Sequence, residues 1–246
     1  MPQKTPSFIT VRSTSSRLPG KCFLPFGDCV VLEHIIRRSF DYGLDPIVCT
    51  TTDDSDDRIV NIANKEGAKV FRGEPIHKLK RWADCCAAFE LDAFHTVDAD
   101  DPFFDGNEMK ASFKLLQTGG WDMVGPSESS SAGGATVGYS LTRDIVDRAV
   151  ALTGANEDTE MMWYWVSKVD GLKKTILPES SENPIVARVT LDYEEDYWFL
   201  ASIARIVGTK ASRHEVDDFL RRNPDFYKIN WFRNEEWTNA QASKKV

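Results

Sequence analysis

Short apolar runs alternate with helical segments along the first hundred residues, and this order constrains the fold more than any other feature. Three runs, at 8–11, 46–50 and 93–97, are long enough for buried strands and too short for buried helices. The segments between them have apolar residues at helical spacing, as in 30–40, which Gly43 terminates. Strand, helix and strand in regular succession predict an α/β fold, with a parallel sheet covered by helices on both faces.

The second half of the chain has a less regular pattern. Further strands are predicted at 121–124, 172–177 and 185–191, and further helices at 106–117, 142–152, 197–207 and 213–221. The Ser- and Gly-rich stretch 128–134 predicts a flexible loop able to close over a ligand. The aromatic stretch 157–168 favours core or a subunit interface over a ligand surface. Asn223-Pro224 ends the last predicted helix, and the remainder is predicted to be a tail.

Composition excludes several classes of protein. The 246 residues, 41% of them hydrophobic and 28% charged, suit one globular domain spanning 1–246. A net charge of −8 argues against a general nucleic-acid binder, and no apolar run approaches the ~20 residues that a membrane helix needs. The five cysteines form no Cys-x-x-Cys pair, which argues against zinc and favours free thiols in a cytoplasmic protein.

A polar and basic loop, Arg12-Ser13-Thr14-Ser15-Ser16-Arg17-Leu18-Pro19-Gly20-Lys21, follows the first predicted strand. It contains hydroxyls, one glycine and three cations but no acid. Backbone N–H groups and Lys or Arg side chains surround phosphate oxygens in such loops, so the loop suits a polyphosphate. Its single glycine excludes the Walker A and Gly-x-Gly-x-x-Gly loops. On composition alone, a solvated surface turn is an equally good interpretation.

Acidic side chains follow two predicted strands. Asp98, Asp100 and Asp101 come directly after the strand at 93–97, and Asp192 follows the segment 185–191. Ligands of parallel α/β sheets bind at the carboxyl ends of the strands. Carboxylates crowded at that edge suit Mg²⁺ or Mn²⁺ shared with substrate phosphates. The alternative for each group is a helix N-cap, since a helix follows soon after.

Specific motifs resemble one enzyme family. Arg17-Leu18-Pro19-Gly20-Lys21, followed by Leu32-Glu33-His34-Ile35-Ile36-Arg37-Arg38, resembles the sugar-nucleotide cytidylyltransferases, the relatives of CMP-KDO and CMP-nonulosonate synthetases. Val70-Phe71-Arg72-Gly73, Asp98-Ala99-Asp100-Asp101-Pro102 and Thr190-Leu191-Asp192-Tyr193-Glu194-Glu195-Asp196 resemble the spore-coat polysaccharide biosynthesis cytidylyltransferase-like subgroup in order and approximate position. The similarity spans nearly the whole chain.

The resemblance implies a three-layer α/β/α sandwich with a mixed, mostly parallel, Rossmann-like sheet. It implies a nucleotidyltransferase that couples CTP to a small acidic acceptor with Mg²⁺- or Mn²⁺-dependent release of pyrophosphate. By position, Arg12 and Arg17 hold the triphosphate, and Lys21 neutralises charge on the α-phosphate. Asp100 and Asp192 are the implied metal ligands, and Lys21, Arg17 and Asp100 the implied catalytic set.

The resemblance implies further nucleotide contacts. Ser13 and Ser16 lie by the base or the phosphates, and Gly20 and Asp98 complete the nucleotide-binding set. It also suggests a homodimer, as does the aromatic stretch 157–168.

The acceptor half departs from the family pattern. The subgroup shows a Glu-His-Val-Thr block where this chain has Glu157-Asp158-Thr159-Glu160, and its acidic residue after the mid-chain glycine is replaced within Gly134-Ala135-Thr136-Val137-Gly138. The acceptor therefore stays open among a 2-keto sugar acid such as a nonulosonic acid, a sugar 1-phosphate and a phosphonate. Two other functions also stay open: a nucleotide-sugar-dependent glycosyltransferase using Asp98-x-Asp100, and a non-catalytic nucleotide-binding homologue.

Overall fold

The computed structural model describes residues 4–15, 17–131, 137–180, 182 and 184–243, and within them seven strands form one sheet and two form a hairpin. The strands are β1 (Pro6–Thr10), β2 (Pro25–Phe26), β3 (Cys29–Val30), β4 (Asp45–Thr51), β5 (Lys69–Gly73), β6 (Ala93–Asp98), β7 (Met123–Gly125), β8 (Ser140–Thr142) and β9 (Lys174–Ile176). The helices are α1 (Val31–Asp41), α2 (Asp57–Lys65), α3 (Lys78–Ala88), α4 (Gly106–Gly119), α5 (Glu128–Ser131), α6 (Arg143–Val150), α7 (Met162–Val166), α8 (Glu194–Val207), α9 (Arg213–Arg222) and α10 (Arg233–Ser243).

The sheet is mixed, in the order β5-β4-β1-β6-β8-β7-β9. Strands β5, β4, β1 and β6 are mutually parallel, whereas β8 runs antiparallel to both β6 and β7. The strand–helix alternation alone predicted a parallel sheet, and among the described strands of this sheet only β8 departs from it, since β7 and β9 run in the same direction as β6. No long helical crossover separates β7 from β8 within the described residues, and a chain that returns without a crossover pairs antiparallel.

Alternate residues of β1 belong to two different hydrophobic cores. Phe8 packs with Trp82 and Phe94 on one face, and Ile9 packs with Val31 and Ile35 on the other. Successive side chains of a strand point to opposite faces, so helices cover the sheet on both sides. This arrangement confirms the predicted α/β/α layers.

Most predicted elements are present with ends shifted by one to three residues. The helix predicted at 142–152 is α6, and Thr142 caps it, since its hydroxyl accepts from Ile145 N–H at 3.3 Å. The strand predicted at 185–191 is wrong. That segment belongs to no strand or helix: Leu191 N–H donates to the Asp100 carbonyl at 2.8 Å, and the Arg188 carbonyl accepts from the Asn230 side chain. Loop and side-chain partners thus replace the neighbouring strand that the apolar pattern implied.

Two further predictions for the second half need correction. The stretch after Asn223-Pro224 is not a tail, since it forms a 3₁₀ turn at Phe226–Ile229 and helix α10. The stretch predicted as a flexible loop at 128–134 begins with the short helix α5, and its residues 132–134 lie outside the described residues. No helix in the described part of the chain is both long enough and apolar enough to span a membrane.

Two core histidines make folding stability sensitive to pH. His34 and His95 are buried beside apolar residues, and burial lowers the pKa of each imidazole to about 4. The unfolded chain takes up these protons near pH 6.5. We therefore expect the two histidines to lower the unfolding free energy as the pH falls from 6.5 to 4, by up to roughly 3 kcal/mol each. Buried Asp101, whose pKa is raised, acts in the opposite sense over the same range.

The decline is measurable by urea denaturation across this pH window. The slope is expected to be shallower in a His95→Gln variant, which has lost one of the two groups. His214 is exposed, so His214→Gln should keep the wild-type slope. If the unfolding free energy changed equally with pH in wild type and in His95→Gln, the result would contradict the role of buried His95 in the pH dependence.

Candidate active site

A buried carboxylate holds the start of the polar loop that follows β1. Asp56 accepts from the Ser13 N–H at 2.7 Å, from the Thr50 hydroxyl at 2.9 Å, and from the Thr51 N–H and hydroxyl at 3.2 and 2.5 Å. The Ser13 hydroxyl donates to that of Ser55 at 3.0 Å. Asp56 therefore ties the loop to the carboxyl end of β4, a role that its polar sequence context did not reveal.

A left-handed glycine turns the end of the same loop toward the sheet. Gly20 has φ of 68°, which is strained for other residues, and its N–H donates to the Ser13 carbonyl at 3.3 Å. A 3₁₀ turn at Lys21–Phe23 follows at once and orients the Lys21 side chain. Ser16, predicted to bind nucleotide, lies outside the described residues.

Lys21 and Arg17 converge on two aspartates from distant parts of the chain. Lys21 Nζ donates to Asp100 Oδ2 in a short contact and to Asp192 Oδ1 at 3.0 Å. Arg17 Nη2 reaches the same Asp192 oxygen at 2.6 Å. Asp100 follows β6, whereas Asp192 follows the irregular segment rather than a strand. The structure thus brings together four charged residues that the sequence predicted for the site, namely Arg17, Lys21, Asp100 and Asp192.

The charges of this cluster stabilise one another. Burial opposes ionisation of Lys21, but the carboxylates of Asp100 and Asp192 outweigh it and raise the lysine pKa. Burial likewise opposes ionisation of Asp192, but Lys21 and Arg17 hold its pKa well below the ordinary range. Asp101 is different, since burial and the neighbouring Asp100 and Asp98 raise its pKa well above the ordinary value. Lys21 and Asp192 are therefore charged at neutral pH.

Asp192 is itself positioned by a buried ionic network. The Arg188 guanidinium lies 3.3 Å from Asp192 Oδ2 and donates to both Asp196 oxygens at 2.9 and 3.0 Å. Asp196 also accepts from the Asp192 and Tyr193 N–H groups, each at 2.9 Å, and from Asn230 Nδ2 at 2.9 Å. Arg188 and Asp196 have no exposed side-chain surface.

The cluster lines a cavity of about 450 Å³ at the carboxyl ends of the strands. Arg12, Ser15 and Asp98 also line it, whereas Ser13 and Gly20 act as supports behind its wall. Asp98 faces Lys78 rather than the loop cations. Much of the other wall comes from residues that the sequence did not single out for binding, among them Lys78, Tyr139, Glu160, Met161, Met162, Trp163, Trp237 and Thr238.

The aromatic stretch therefore has a mixed location. Met162 and Val166 are buried in the core, as predicted, while Met161, Met162 and Trp163 face the cavity. Trp237 belongs to α10, in the segment predicted to be a tail. A contact of this kind between a late helix and the cavity depends on chain packing and has no local sequence signal.

Asp100 and Asp192 fit a divalent cation. In the described ranges, no group of three or more His, Cys, Asp and Glu side chains is arranged to hold a metal. The two aspartates nevertheless meet at one cationic atom, Lys21 Nζ. Hard carboxylate ligands suit Mg²⁺ or Mn²⁺, whose other ligands are commonly substrate phosphates and water. Two carboxylates that already surround one positive charge supply the protein oxygens that such an ion needs.

Comparison with known proteins identifies the family. The profile described as cytidylyltransferase matches residues 8–194, which is more than half of the chain. The chain belongs to the cytidylyltransferase family. It is therefore a nucleotidyltransferase by family, and the predicted family is confirmed.

Relatives of this cytidylyltransferase match along most of its length. It is 26% identical over 228 residues to the spore coat polysaccharide biosynthesis protein SpsF of Bacillus subtilis, covering 88% of this chain and 94% of that protein. A cytidylyltransferase structure from Leptospira borgpetersenii superposes with a TM-score of 0.78 at 24% identity, over 91% and 96% of the two chains. CMP:2-keto-3-deoxy-manno-octonic acid synthetase complexed with CTP gives 0.63 at 14% identity, over 82% and 99%. The structural matches confirm the Rossmann-like α/β fold.

Proposed function

We propose that this cytidylyltransferase transfers a cytidylyl group from CTP to a small acidic acceptor and releases pyrophosphate. The observation that carries the proposal is the convergence of Lys21, Arg17, Asp100 and Asp192 in one cavity at the carboxyl ends of the strands. Family membership and the CTP complex of the structural relative support CTP as the donor. The acceptor classes are a 2-keto sugar acid, a sugar 1-phosphate and a phosphonate.

The loop after β1 is the proposed triphosphate site. Arg12 and Arg17 grip phosphate oxygens through their guanidinium groups, which match phosphate geometry. Gly20 turns the chain so that Lys21 enters the cavity, and Ser13, held by Asp56, fixes the loop at its other end. Ser16 is the remaining proposed nucleotide contact of this loop.

Lys21 is the proposed charge-neutralising residue. In the reaction, an acceptor oxygen forms a bond to the α-phosphorus, the bond from that phosphorus to the α,β-bridging oxygen breaks, and pyrophosphate leaves with the electron pair. A hydroxyl acceptor releases its proton to solvent, whereas a phosphate or phosphonate oxygen attacks already ionised. Negative charge then has to be stabilised on the phosphoryl oxygens, and a point charge held nearby does this without reorganisation. Lys21 is pre-organised by two carboxylates, and Arg17 shares one of them.

Asp100 and Asp192 are the proposed ligands of Mg²⁺ or Mn²⁺. When bound, the ion supplies electrostatic stabilisation of phosphate charge and orients the phosphates. Arg188 and Asp196 hold Asp192 in place for this role. Asp192 is ionised in advance, because Lys21 and Arg17 keep its pKa low.

The whole chain is proposed to act as one nucleotidyltransferase domain, 1–246, since Arg12 and Trp237 line the same cavity. We also propose a homodimer in the cytoplasm. Three large apolar side chains are more than half exposed, which favours association into a dimer: Trp198, Ile206 and Phe232. All five cysteines are free, which favours a reducing compartment such as the cytoplasm. Light scattering of the purified protein tests the dimer.

Pyrophosphate release tests the reaction directly. The enzyme is assayed with CTP, UTP, GTP or ATP, with Mg²⁺, Mn²⁺ or EDTA, against a panel of 2-keto sugar acids, sugar 1-phosphates and phosphonates. We expect release with CTP and one acceptor class, and none with EDTA. If no acceptor gave pyrophosphate release while CTP bound in a calorimetric titration, the result would contradict catalysis and favour a nucleotide-binding homologue.

A further inference from the structure

One tyrosine ring joins the candidate active site to the C-terminal helix. Tyr193 comes directly after Asp192, and it is only 7% exposed. Three guanidinium carbons lie over its ring, that of Arg17 at 5.7 Å from the ring centre, that of Arg188 at 5.4 Å and that of Arg233 at 4.8 Å. Distances in this range allow cation–π attraction, which is strongest where water is excluded. The ring therefore contacts one arginine of the proposed triphosphate site, one that holds Asp192 and one that belongs to α10.

Helix α10 reaches this group through residues of its first turn. Arg233 donates to both Glu195 carboxylate oxygens, at 3.0 and 2.9 Å. The Asn234 side-chain oxygen accepts from Arg188 at 3.3 Å. One turn after Arg233, the Trp237 ring centre lies 5.8 Å from the Arg188 guanidinium carbon, and Trp237 also lines the cavity. The start of α10 is thus bonded to the ionic network beside the cavity.

Helix α10 has little apolar surface with which to dock. It lies beyond residue 194, where the match to the family profile ends. None of its described side chains is buried, and Trp237 is the one large apolar residue among 233–243. A helix that is polar on nearly all sides gains little from the burial of apolar surface. The position of α10 therefore depends on its guanidinium and ring contacts.

The Arg17 guanidinium needs a second contact to hold its orientation. Its Nη2 donates to Asp192 at 2.6 Å, whereas its Nε is buried and has no hydrogen-bond partner among the described residues. A single hydrogen bond leaves the guanidinium plane able to rotate about that bond. An aromatic ring beside the plane restricts this rotation, because guanidinium groups stack on aromatic faces. Tyr193 provides that ring, and Arg233 lies over the same ring from α10.

We propose that Tyr193 is a positioning residue for Arg17, and that Arg233 of the docked helix α10 holds the Tyr193 ring in place. The C-terminal helix thereby orients a cation of the triphosphate site, although Arg233 itself has no part in binding the nucleotide. The inference rests on the proposed function only where it assigns Arg17 to the triphosphate. The positioning is a property of the free protein, so it is measurable without a nucleotide.

Arginine side-chain NMR tests the positioning in the full-length protein with no ligand present. The measured quantity is the rate at which the Arg17 Nε–H proton exchanges with water, and the Arg17→Lys variant identifies its signal. Exchange requires local opening that exposes the buried N–H group, so a side chain that is held in place exchanges slowly. We expect the exchange rate to rise roughly 10-fold in Tyr193→Leu and several-fold in Arg233→Met, because both substitutions weaken the ring contact.

Two control variants make this test specific. Tyr193→Phe keeps the ring, so its exchange rate should equal that of the wild type. Arg37→Met removes another arginine that donates to both oxygens of a glutamate, Glu66 at 2.8 Å, and Arg37 lies outside the cavity. It should also leave the exchange rate unchanged.

Urea unfolding establishes that each variant is folded. The Arg233 side chain is partly exposed, so Arg233→Met keeps the test valid if Tyr193→Leu does not fold. An unchanged exchange rate in Arg233→Met would overturn the proposal. An equal increase in Arg37→Met would also overturn it, because the effect would then be a general loosening of the fold.

Calorimetric titration with CTP connects the positioning to the proposed function. Arg233→Met should raise the dissociation constant of CTP several-fold, and Tyr193→Leu roughly 10-fold. In an Arg17→Ala background, Arg233→Met should have no further effect, because Arg233 acts only through Arg17. An equal loss of affinity in both backgrounds would contradict the positioning role. If the wild type did not bind CTP, the proposed function would fail, while the exchange rates would still decide the positioning.

Discussion

Replacing Lys21 by alanine is expected to lower kcat by about 10²- to 10³-fold, the range seen when one pre-organised charge-stabilising group is removed. Lys21 is the cation shared by Asp100 and Asp192. Its loss removes the lysine that is proposed to neutralise phosphate charge during the reaction. CTP should still bind measurably, because Arg12 and Arg17 remain. Steady-state pyrophosphate release and calorimetric CTP binding measure the two effects separately.

The matched control is Lys65→Ala. Lys65 is also paired with a carboxylate, at 2.9 Å from Glu33, but its side chain is 68% exposed and lies outside the cavity. This variant should keep wild-type kcat. Full activity in Lys21→Ala would show that the proposed mechanism is wrong, whereas complete loss of CTP binding would assign Lys21 to nucleotide affinity instead.

Replacing Asp196 by alanine is expected to lower the unfolding free energy by about 3–5 kcal/mol, because it leaves a buried guanidinium without its principal partner. Arg188 would keep only the longer contact to Asp192 and one to Asn234, both at 3.3 Å. The Asp192 and Tyr193 N–H groups would also lose their acceptor. Urea denaturation at neutral pH measures the loss.

Asp84→Ala provides the matched control, since Asp84 pairs with Lys80 on the surface of α3 with 43% of its side chain exposed. Exposed pairs of this kind contribute at most about 1 kcal/mol. A loss in Asp196→Ala no larger than that of the control would contradict the role of the network. The same variant should also turn over more slowly, because Asp196 holds the Asp192 backbone.

Local sequence determined much of this protein. Apolar runs of strand length and helical spacing predicted the strands and helices of the first half, because the local backbone conformation fixes the period at which side chains face the core. The position of Arg17, Lys21 and Asp100 after buried strands predicted that they would meet, because parallel strands share one carboxyl edge. The motif around Gly20 identified the family.

Tertiary structure alone decided the rest. Asp192 reaches Lys21 from an irregular segment that pairs with none of the described strands, held by Arg188, Asp196 and Asn230. Its alternating apolar pattern is the same as that of a strand, so the sequence could not distinguish the two. The direction of β8 and the docking of α10 on the cavity likewise depend on contacts between residues far apart in the chain. Local periodicity records which side chains are buried, and it carries no record of the distant partners that bury them.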